Sequence, residues 1–373
     1  MSQWIKTKLG EIVILNYGKA LKAQDRNAGS IPVYSSGGLT GWHNKALINE
    51  QGIIIGRKGT VGKAYLTYGP FWCIDTAYYI LPNPSKYDFV FLFYLLKTLG
   101  LEELNEDSAV PGLNRDTAYS QEILLPSLPE QKAIASVLSS LDDKIDLLHR
   151  QNKTLESMAE TLFRQWFILD STGVSVSIDQ IIDFNPKRTL IKSQDATYLD
   201  MAGLSTVIFR ANGYYRRPFS SGTKFTKRDT LLARITPCLE NGKVAYIDFL
   251  DDNETGWGST EFIVMRPKKE IHPFISYIMC RNPDFKEYAE SCMEGSTGRQ
   301  RVNLDHLKKF NVNLPTEASL RIINELLDSF ESKLINNSKQ IDSLEKLRDT
   351  LLPKLMSGEV RVQYAEEAIA SVA

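Results

Sequence analysis

The sequence predicts a mixed α/β fold, in which two globular α/β domains are separated by a long antiparallel two-helix coiled coil in a pseudo-twofold tandem repeat. Three observations predict it: an internal repeat within the 373 residues, two long heptad patterns, and glycine-punctuated strand-like runs in both halves. A chain of this length is expected to form several structural units. The predicted boundaries are 1–126 for the first domain, 127–169 for the first helix, 170–315 for the second domain, 316–358 for the second helix and 359–373 for a C-terminal tail.

The two halves of the chain match at an offset of 189 residues. Leu125-Pro126-Ser127 recurs as Leu314-Pro315-Thr316, and the match continues without a gap through the helical segments that follow. Upstream the repeat is looser, as in Gly62-Lys63-Ala64-Tyr65 and Gly242-Lys243-Val244-Ala245-Tyr246. Each half is therefore predicted to be a variable globular domain followed by a well-matched helical segment.

Each half ends in a segment with a sustained heptad pattern. Ser127 with Glu130 forms a capping box, and Thr316 takes the equivalent cap position with Ser319 in place of the glutamate. Mostly apolar seam positions then alternate at spacings of four and three residues, which is typical of a coiled coil. The first seam is Ile134, Leu138, Leu141, Ile145, Leu148, Asn152, Leu155, Ala159, Leu162 and Trp166. The second seam is Ile323, Leu327, Phe330, Leu334, Asn337, Ile341, Leu344, Arg348, Leu351 and Leu355.

The two seams predict antiparallel pairing. Setting Ile134 opposite Leu355 places Asn152 opposite Asn337, and these are the only two asparagines in the seams. Parallel pairing would instead place Asn152 against Ile341 and leave its amide without partners in an apolar layer. Because a buried polar pair fixes register at some cost in stability, we assign Asn152 and Asn337 as register residues. Helices of this length extend roughly 60 Å.

The globular halves carry the strand and helix signals of a mixed α/β domain. Ile53-Ile54-Ile55, Tyr78 to Leu81 and Phe262 to Met265 are strand-like runs, with glycine-rich turns between such runs. The apolar segment from Phe89 to Leu101 predicts a buried helix, and its counterpart is expected within Phe274 to Tyr288.

Charge is unevenly distributed along a chain that is close to neutral, with 44 lysines and arginines against 45 acidic residues. Residues 17–67 contain seven basic side chains and two acidic ones, and residues 183–243 contain eleven against five. Two basic segments in an otherwise acidic chain predict two separate surfaces for a polyanion. The alternative is that these charges are scattered over solvated faces.

Motifs for catalysis and for metal binding are absent from the sequence. The segment from Gly56 to Ala64 resembles a phosphate-binding loop, but five residues separate Gly56 from Gly62, and Ala64 replaces the Ser or Thr that holds magnesium. Zincin, hydrolase, dinucleotide-binding and adenine-methyltransferase motifs do not occur. The four cysteines form no C-x-x-C pair. The sequence therefore predicts a chain without catalytic residues, a metal or a bound cofactor.

Loop residues of the two basic segments are the candidates for contact with DNA. Arginine can read guanine and Asn or Gln can read adenine, although most Lys and Arg side chains contact phosphate. For the aromatic candidates Trp42 and Tyr214, the alternative is packing beneath a loop. The candidates in the first domain are Lys22, Gln24, Arg26, Trp42, Asn44, Arg57, Lys58 and Lys63. The candidates in the second domain are Lys187, Arg188, Tyr214, Arg216, Arg217, Lys224, Arg234, Asn241 and Lys243.

The order of these elements resembles that of type I restriction-modification specificity subunits over essentially the whole chain. The most specific motifs are Leu125 to Ile134 followed by Leu141 to Asp146, Leu351 to Val360, Ile31 to Tyr34 with Gly37-Gly38, and Leu232 to Ile235 with Glu240 to Lys243. The start of the second helix, Thr316 to Leu320, departs from the family because it lacks the usual Glu-Gln pair.

The resemblance implies that each globular domain is a target recognition domain, which reads one half of a split site in double-stranded DNA. It implies that the paired helices fix the gap between the half-sites. Two methyltransferase subunits would dock around the helices, bind S-adenosylmethionine and methylate adenine. Restriction subunits that use ATP and Mg would be optional further partners. The chain itself would be a non-catalytic subunit for phage defence.

A cytoplasmic location without a membrane partner is expected, because the N-terminus, from Met1 to Lys6, lacks the apolar core of a signal peptide. Two other functions compete with this interpretation. A stand-alone enzyme acting on DNA, such as a fused nuclease and methyltransferase, would need the catalytic motifs that are missing. A protein-interaction scaffold, in which the end domains bind proteins, would select no split DNA motif.

Overall fold

A computed structural model describes residues 4–104, 112–170, 172–296 and 298–363. The chain forms two compact units: unit 1 is Met1–Leu147 with Gln340–Ala373, and unit 2 is Leu148–Lys339. The tail predicted for 359–373 is described as far as residue 363, so 364–373 lie outside the described residues, as do the N-terminal residues 1–3.

The elements up to the first long helix are β1 (Ile5–Lys8), α1 (Leu9–Ile12), β2 (Asn16–Tyr17), β3 (Ile31–Ser35), β4 (Gly38–His43), β5 (Gly52–Gly56), β6 (Ala64–Thr67), β7 (Trp72–Cys73), β8 (Ala77–Ile80), α2 (Phe89–Thr98), α3 (Arg115–Tyr119) and β9 (Glu122–Leu125). The first long helix is α4 (Leu128–Phe163), and a π-helical segment, Arg164–Leu169, continues it.

The remaining elements are β10 (Val174–Ser177), β11 (Ile182–Phe184), β12 (Asp195–Leu199), β13 (Tyr215–Pro218), β14 (Thr223–Thr226), β15 (Thr230–Ala233), β16 (Val244–Tyr246), β17 (Thr255–Gly258), β18 (Phe262–Pro267), α5 (Phe274–Arg281), α6 (Pro283–Ser291), β19 (Met293–Glu294), β20 (Arg301–Val302), α7 (Leu304–Leu307), β21 (Asn311–Leu314) and the second long helix, α8 (Glu317–Ser357).

Both units are built on the same sheet plan, which confirms the predicted repeat and the mixed α/β class. A four-stranded sheet has the order β2-β8-β5-β6 in unit 1 and β11-β18-β15-β16 in unit 2. In a second sheet, β3 pairs antiparallel with β4 and parallel with β7, as β12 does with β13 and β17. Unit 2 adds one strand, β14, to this second sheet. The short antiparallel pairs β1–β9 and β10–β21 join the start of each repeat to its end.

The central strands β5 and β15 are buried along their whole length, because side chains on both faces of the sheet are covered. The predicted helix from Phe89 is shorter than expected, since it ends at Thr98, and Gly100 then adopts the left-handed conformation (φ +61°) that commonly ends a helix. Its counterpart in unit 2 is two helices rather than one, because Asn282 ends α5 and caps α6, which begins at Pro283.

The seam side chains of the two long helices are largely buried, as the heptads predict. The prediction is wrong where α4 passes into the π-helical segment, because Phe163 and Phe167 are buried there, whereas Leu162 and Trp166 are only half-buried. The stripe moves by one position because this end of the helix packs into the apolar core of unit 2 around Phe310 and lies next to the π-helical segment.

Polar contacts between the two helices fix their direction and register. In unit 1, Arg348 donates to Asp142 at 2.8 Å and Arg361, just beyond α8, donates to Glu130 at 3.1 Å. Rising numbers on one helix therefore meet falling numbers on the other, as in an antiparallel pair. In unit 2, the predicted facing residues are in contact.

The polar layer in unit 2 is a small hydrogen-bonded group. The Asn337 side chain donates to Asn152 Oδ1 at 2.9 Å, and Asn152 Nδ2 donates to Ser338 Oγ at 3.3 Å. Asn337 Oδ1 is buried without a hydrogen-bond partner among the described residues. The layer therefore costs stability relative to an apolar one and gains a specific register.

Tyrosines of the globular regions donate to carboxylates on the first long helix. Tyr277 of α5 donates to Glu156 at 2.7 Å, and Tyr94 of α2 donates to Asp142 at the same distance. Burial raises the pKa of Glu156 to about 7, although Tyr277 and Arg281 both act to lower it. Glu156 therefore takes up a proton more readily in the folded chain than in the unfolded one.

We predict that the substitution Asn337→Leu lowers the free energy of unfolding by about 1–3 kcal/mol, because it leaves Asn152 Oδ1 buried without its hydrogen-bond donor, while Asn152 Nδ2 still donates to Ser338. The double substitution Asn152→Leu/Asn337→Leu should recover most of this loss, since Ser338 still donates to the Leu334 carbonyl. Urea unfolding followed by circular dichroism measures both, with the exposed neighbour Asn336→Leu as control. Equal losses in the single and the double variant would show that the two asparagines are not coupled.

A second prediction concerns pH. Because the pKa of Glu156 is raised in the folded state, its contribution to stability is complete below about pH 4.5 and is lost as pH rises through about 7. We expect Glu156→Gln to remove about 1–2 kcal/mol of the stability difference between pH 5 and pH 8. Urea unfolding at both pH values tests this, with the exposed Glu325→Gln as control. An unchanged difference in Glu156→Gln contradicts it.

Candidate nucleic-acid interface

A turn that follows the central strand is equivalent in the two repeats. The Arg57 N–H, just after β5, donates to the Thr76 carbonyl at 2.9 Å, and the Arg234 N–H, just after β15, donates to the Glu261 carbonyl at 3.0 Å. The Arg57 carbonyl accepts from the Leu113 N–H, just before α3, and the Arg234 carbonyl accepts from the Val302 N–H, just before α7, both at 2.8 Å. Arg57 and Arg234 therefore occupy the same position in the two repeats.

The far side of each turn carries an equivalent lysine. The last residue of β5 donates its N–H to the Lys63 carbonyl at 3.0 Å, and the last residue of β15 donates to the Lys243 carbonyl at 3.1 Å. Before these lysines, Gly62 and Gly242 share a left-handed conformation, with φ of +76° and +74°. A side chain at Gly62 would also meet the backbone of Leu101. The structure thus brings two predicted candidates together in each unit, on a turn that requires glycine.

Arg57 is held by its own domain. Its Nη2 donates to the Asp75 carbonyl at 2.8 Å, and its guanidinium lies 5.2 Å from the ring centre of Tyr17 and 5.8 Å from that of Tyr78. Arg115 also lies over the Tyr17 ring, at 5.4 Å. Sequence reasoning missed Arg115 because it lies outside the basic segment of residues 17–67.

The other candidates of unit 1 are mostly exposed. Lys22, Gln24, Asn44, Lys58 and Lys63 are exposed, and none of these side chains has a polar partner among the residues described. Trp42 on β4 is 53% exposed, so it does not pack beneath a loop. Arg26 differs, because it is half-buried and donates to the Thr40 carbonyl at 2.6 Å.

Several candidates of unit 2 are engaged in ion pairs. Arg188 lies 3.3 Å from the buried Asp229, which Arg266 approaches at 2.6 Å. Arg216 is exposed and lies 2.7 Å from Asp195. The distance from Arg234 to the Glu261 carboxylate is 3.9 Å. Glu261 binds Arg301 more closely, at 2.7 Å, and this hydrogen bond lowers the pKa of Glu261.

The remaining candidates of unit 2 lie over rings or reach into solvent. Arg217 lies 5.1 Å from the Tyr198 ring centre, and Lys224 lies 4.9 Å from that of Phe219. Tyr214 is 42% exposed and stacks on Phe249 with ring centres 3.9 Å apart. Lys243 donates to the Met201 carbonyl at 2.9 Å. Lys187 and Asn241 are exposed.

The candidate interface therefore combines exposed cations, exposed amides and aromatic rings. This set suits a phosphate backbone with base edges beyond it. The prediction that all of these residues lie on loops is wrong for four of them, because Trp42 lies on β4, Arg216 and Arg217 lie on β13, and Lys224 lies on β14. Within the described ranges, no helix is both long and apolar enough to cross a membrane.

A family model described as the type I restriction modification DNA specificity domain matches the chain twice, over residues 1–157 and 172–346. The chain belongs to this family. The two matched stretches correspond to the two repeats of the sheet plan.

Curated relatives and a solved structure agree with the family. The chain is 27% identical to the type I restriction enzyme MjaIX specificity subunit of Methanocaldococcus jannaschii, over 73% of this chain and 69% of that protein. It is 26% identical to the type I restriction enzyme EcoEI specificity subunit of Escherichia coli, over 51% of this chain but only 34% of that protein. The fold is that of the crystal structure of the type I restriction-modification system S subunit from M. genitalium, with a TM-score of 0.63 at 20% identity, covering 95% of this chain and 96% of that one.

We predict that Arg57→Gln destabilises this specificity subunit by about 1–2 kcal/mol, because it removes a hydrogen bond and two cation–π contacts. The adjacent exposed Lys58→Gln is the matched control and should change stability by less than about 0.5 kcal/mol. Urea unfolding of both variants without DNA separates a fold-supporting arginine from a solvated one. Equal stability of the two variants contradicts the structural role of Arg57.

Proposed function

We propose that the two repeats of this specificity subunit are target recognition domains, each reading one half of a bipartite site in double-stranded DNA. The observation that carries the proposal is the pair of equivalent basic turns, Arg57 to Lys63 and Arg234 to Lys243, on one sheet plan. We propose residues 1–126 and 170–315 as the two recognition domains. The long helices set the spacing, and Asn152 with Asn337 fixes their register.

Two half-sites on a duplex must be met at fixed separation and rotational phase. A two-helix spacer in a single register supplies a fixed separation, whereas a flexible linker would accept many gap lengths. The hydrogen bonds of the Asn152 and Asn337 layer support one register over a slip by one heptad. This makes DNA-reading domains at the ends of a spacer a better explanation of the helices than a protein scaffold.

The exposed candidates divide by chemistry. Four exposed lysines whose ammonium groups have no polar partner within the described part of the chain are proposed to contact phosphate, namely Lys22, Lys58, Lys63 and Lys187. The exposed amides of Gln24, Asn44 and Asn241 are proposed to read adenine edges. Rings or ion pairs orient the proposed DNA contacts Tyr214, Arg216, Arg217 and Lys224. The exposed ring of Trp42 is proposed as a further DNA contact. Arg26, Arg57, Arg188, Arg234 and Lys243 are proposed to hold the loops as well as to supply positive charge.

The proposed complex contains two methyltransferase subunits, which bind S-adenosylmethionine and methylate adenine. Restriction subunits that use ATP and Mg are optional further members. In this scheme the specificity subunit is cytoplasmic, supplies no catalytic group and holds no cofactor, and its role is to place the partners on the site.

The test begins with the subunit reconstituted with its methyltransferase partner and a random duplex pool. Selection should enrich a split motif with one gap length. Lys58→Ala and Lys63→Ala should weaken binding to all sequences alike and lower the salt slope by about 0.9 for each phosphate that the variant no longer neutralises. Asn44→Ala should relax one base position at a cost of about 1–3 kcal/mol.

Lys309→Ala is the control, because Lys309 is exposed and lies outside both basic segments. Enrichment of no split motif would support a protein scaffold and contradict the proposal. Methylation or cleavage of DNA by the purified chain alone would support a stand-alone enzyme. Unchanged salt slopes in both lysine variants would contradict the site residues but not the split motif.

A further inference from the structure

Arg228 belongs to the basic segment of residues 183–243, but its side chain is directed at the second long helix. It lies in the turn between β14 and β15, in a left-handed conformation (φ +66°). Its Nε donates to Glu331 Oε1 at 3.1 Å and its Nη2 donates to Glu331 Oε2 at 2.5 Å. Tyr246 of β16 donates to Glu331 Oε1 at 2.7 Å. One carboxylate on α8 is thus held by the turn between β14 and β15 and by strand β16 of unit 2.

Neighbouring turns of the same helix face are held by the loop before α5. His272 Nε2 lies 2.9 Å from Asp328 Oδ1, and the His272 N–H donates to Asn324 Oδ1 at 3.1 Å. Asn324 in turn donates to the Glu270 carbonyl at 3.0 Å. Residues 324, 328 and 331 lie on one face of α8, so the contacts extend over about two turns.

The hydrogen bond from Tyr246 to Glu331 joins two buried side chains. The Glu331 side chain is 8% exposed, and Tyr246 is fully buried. Burial, followed by the charge of Glu331, raises the pKa of Tyr246 well above its usual range, so the hydroxyl keeps the proton that it donates. Rotation or sliding of the helix would leave a buried carboxylate unpaired, which is far more costly than shifting an apolar contact. A bidentate arginine–carboxylate pair therefore permits one docking geometry.

A metal site is the other interpretation of this cluster, because ligand atoms of His272, Asp328 and Glu331 lie within 4.8 Å of one another. The Arg228 guanidinium occupies that space, with Nη2 3.1 Å from His272 Nε2 and 3.3 Å from Asp328 Oδ1. A cation already fills the cluster, so a docking contact explains it better.

Unit 1 holds the equivalent helix position in a different way. Asp142 lies 189 residues before Glu331 and accepts from Tyr94 at 2.7 Å, as Glu331 accepts from Tyr246. The arginine that pairs with Asp142 is Arg348 of the other long helix, at 2.8 Å. In unit 2 the arginine that pairs with this carboxylate therefore comes from the globular region, whereas in unit 1 it comes from the other long helix.

We infer that Arg228 and Glu331 are positioning residues, which fix the rotation of the second recognition domain on the second long helix. This inference rests on the proposed function. The contacts extend from Asn324 to Glu331 of this helix, so they fix the rotation of the domain on the part of the helix that lies within unit 2. The pair thereby selects the gap length at which both half-sites are bound together.

The experiment uses the reconstituted methyltransferase complex and three duplexes, which carry the selected split motif with its natural gap or a gap one base pair shorter or longer. A fourth duplex carries only the second half-site. In the wild type, the natural gap should bind most tightly. In Arg228→Gln, preference for the natural gap should fall by roughly tenfold, which corresponds to the removal of one strong charged hydrogen bond. Its affinity for the single half-site should stay within about twofold of the wild type.

Arg228→Lys keeps the charge without the bidentate pair and should give an intermediate loss of gap preference. Lys227→Gln is the matched control, because Lys227 is the preceding residue and pairs with the exposed Asp252 at 2.8 Å. It should keep the wild-type gap preference. Circular dichroism of each variant checks folding. If Arg228→Gln fails to fold, Asp328→Asn replaces it, because that side chain is 64% exposed, and it should reduce gap preference in the same direction.

An equal loss of affinity for all four duplexes in the Arg228 variants would show a merely structural role and overturn the inference. An unchanged gap preference in Arg228→Lys and Asp328→Asn would also overturn it. If the wild type selects a split motif and the variants keep the same gap preference, this inference is refuted but the proposed function is not. A wild type that selects no split motif refutes the proposed function itself.

Discussion

The pairing of the two long helices in one register is the constraint on which the rest of the structure depends. Each compact unit contains a stretch of both helices, so each unit brings together residues that are far apart in the sequence. Unit 1 combines the first 147 residues with the last helical turns of α8, whereas unit 2 is continuous in sequence. The polar layer at Asn152 and Asn337 weakens this pairing locally but makes a slip expensive, because a slip by one heptad would bury both amides against apolar side chains.

The globular regions attach to the helices through directional contacts as well as apolar ones. Tyr94, Tyr246 and Tyr277 each donate at 2.7 Å to a carboxylate on a long helix. In each case burial is the largest of the effects that raise the pKa of the tyrosine, so each hydroxyl remains a donor. An apolar interface tolerates small shifts, but a buried donor and acceptor must meet within hydrogen-bond distance. Each of these hydrogen bonds thus favours one position of the globular region on the helix that carries the carboxylate.

The heptad pattern predicted the helices and their register, because buried residues recur at spacings of four and three wherever the two helices pack against each other. The prediction failed at Phe163 and Phe167, where the helix meets a domain core that no heptad describes. The local contacts of the candidate residues could be predicted less well. Charge counts found the basic turns but could not separate solvated Lys58 from Arg57, since the carbonyl and rings that hold Arg57 come from other strands. For the same reason, no pattern in the sequence indicates that Arg228 is directed at a helix.

The two repeats share their backbone frame and differ in the side chains on it. Arg57 and Arg234 make the same backbone hydrogen bonds, at 2.9 and 3.0 Å. Arg57 is held by a carbonyl and two rings, whereas Arg234 lies beside a carboxylate that Arg301 binds more closely. The shared backbone hydrogen bonds give each turn the same position in its own unit. The different side-chain contacts of Arg57 and Arg234 give the two turns a different shape and charge. If the two repeats read unlike half-sites, as proposed, this combination suits them, because the spacing would be common to both while the contacted bases would differ.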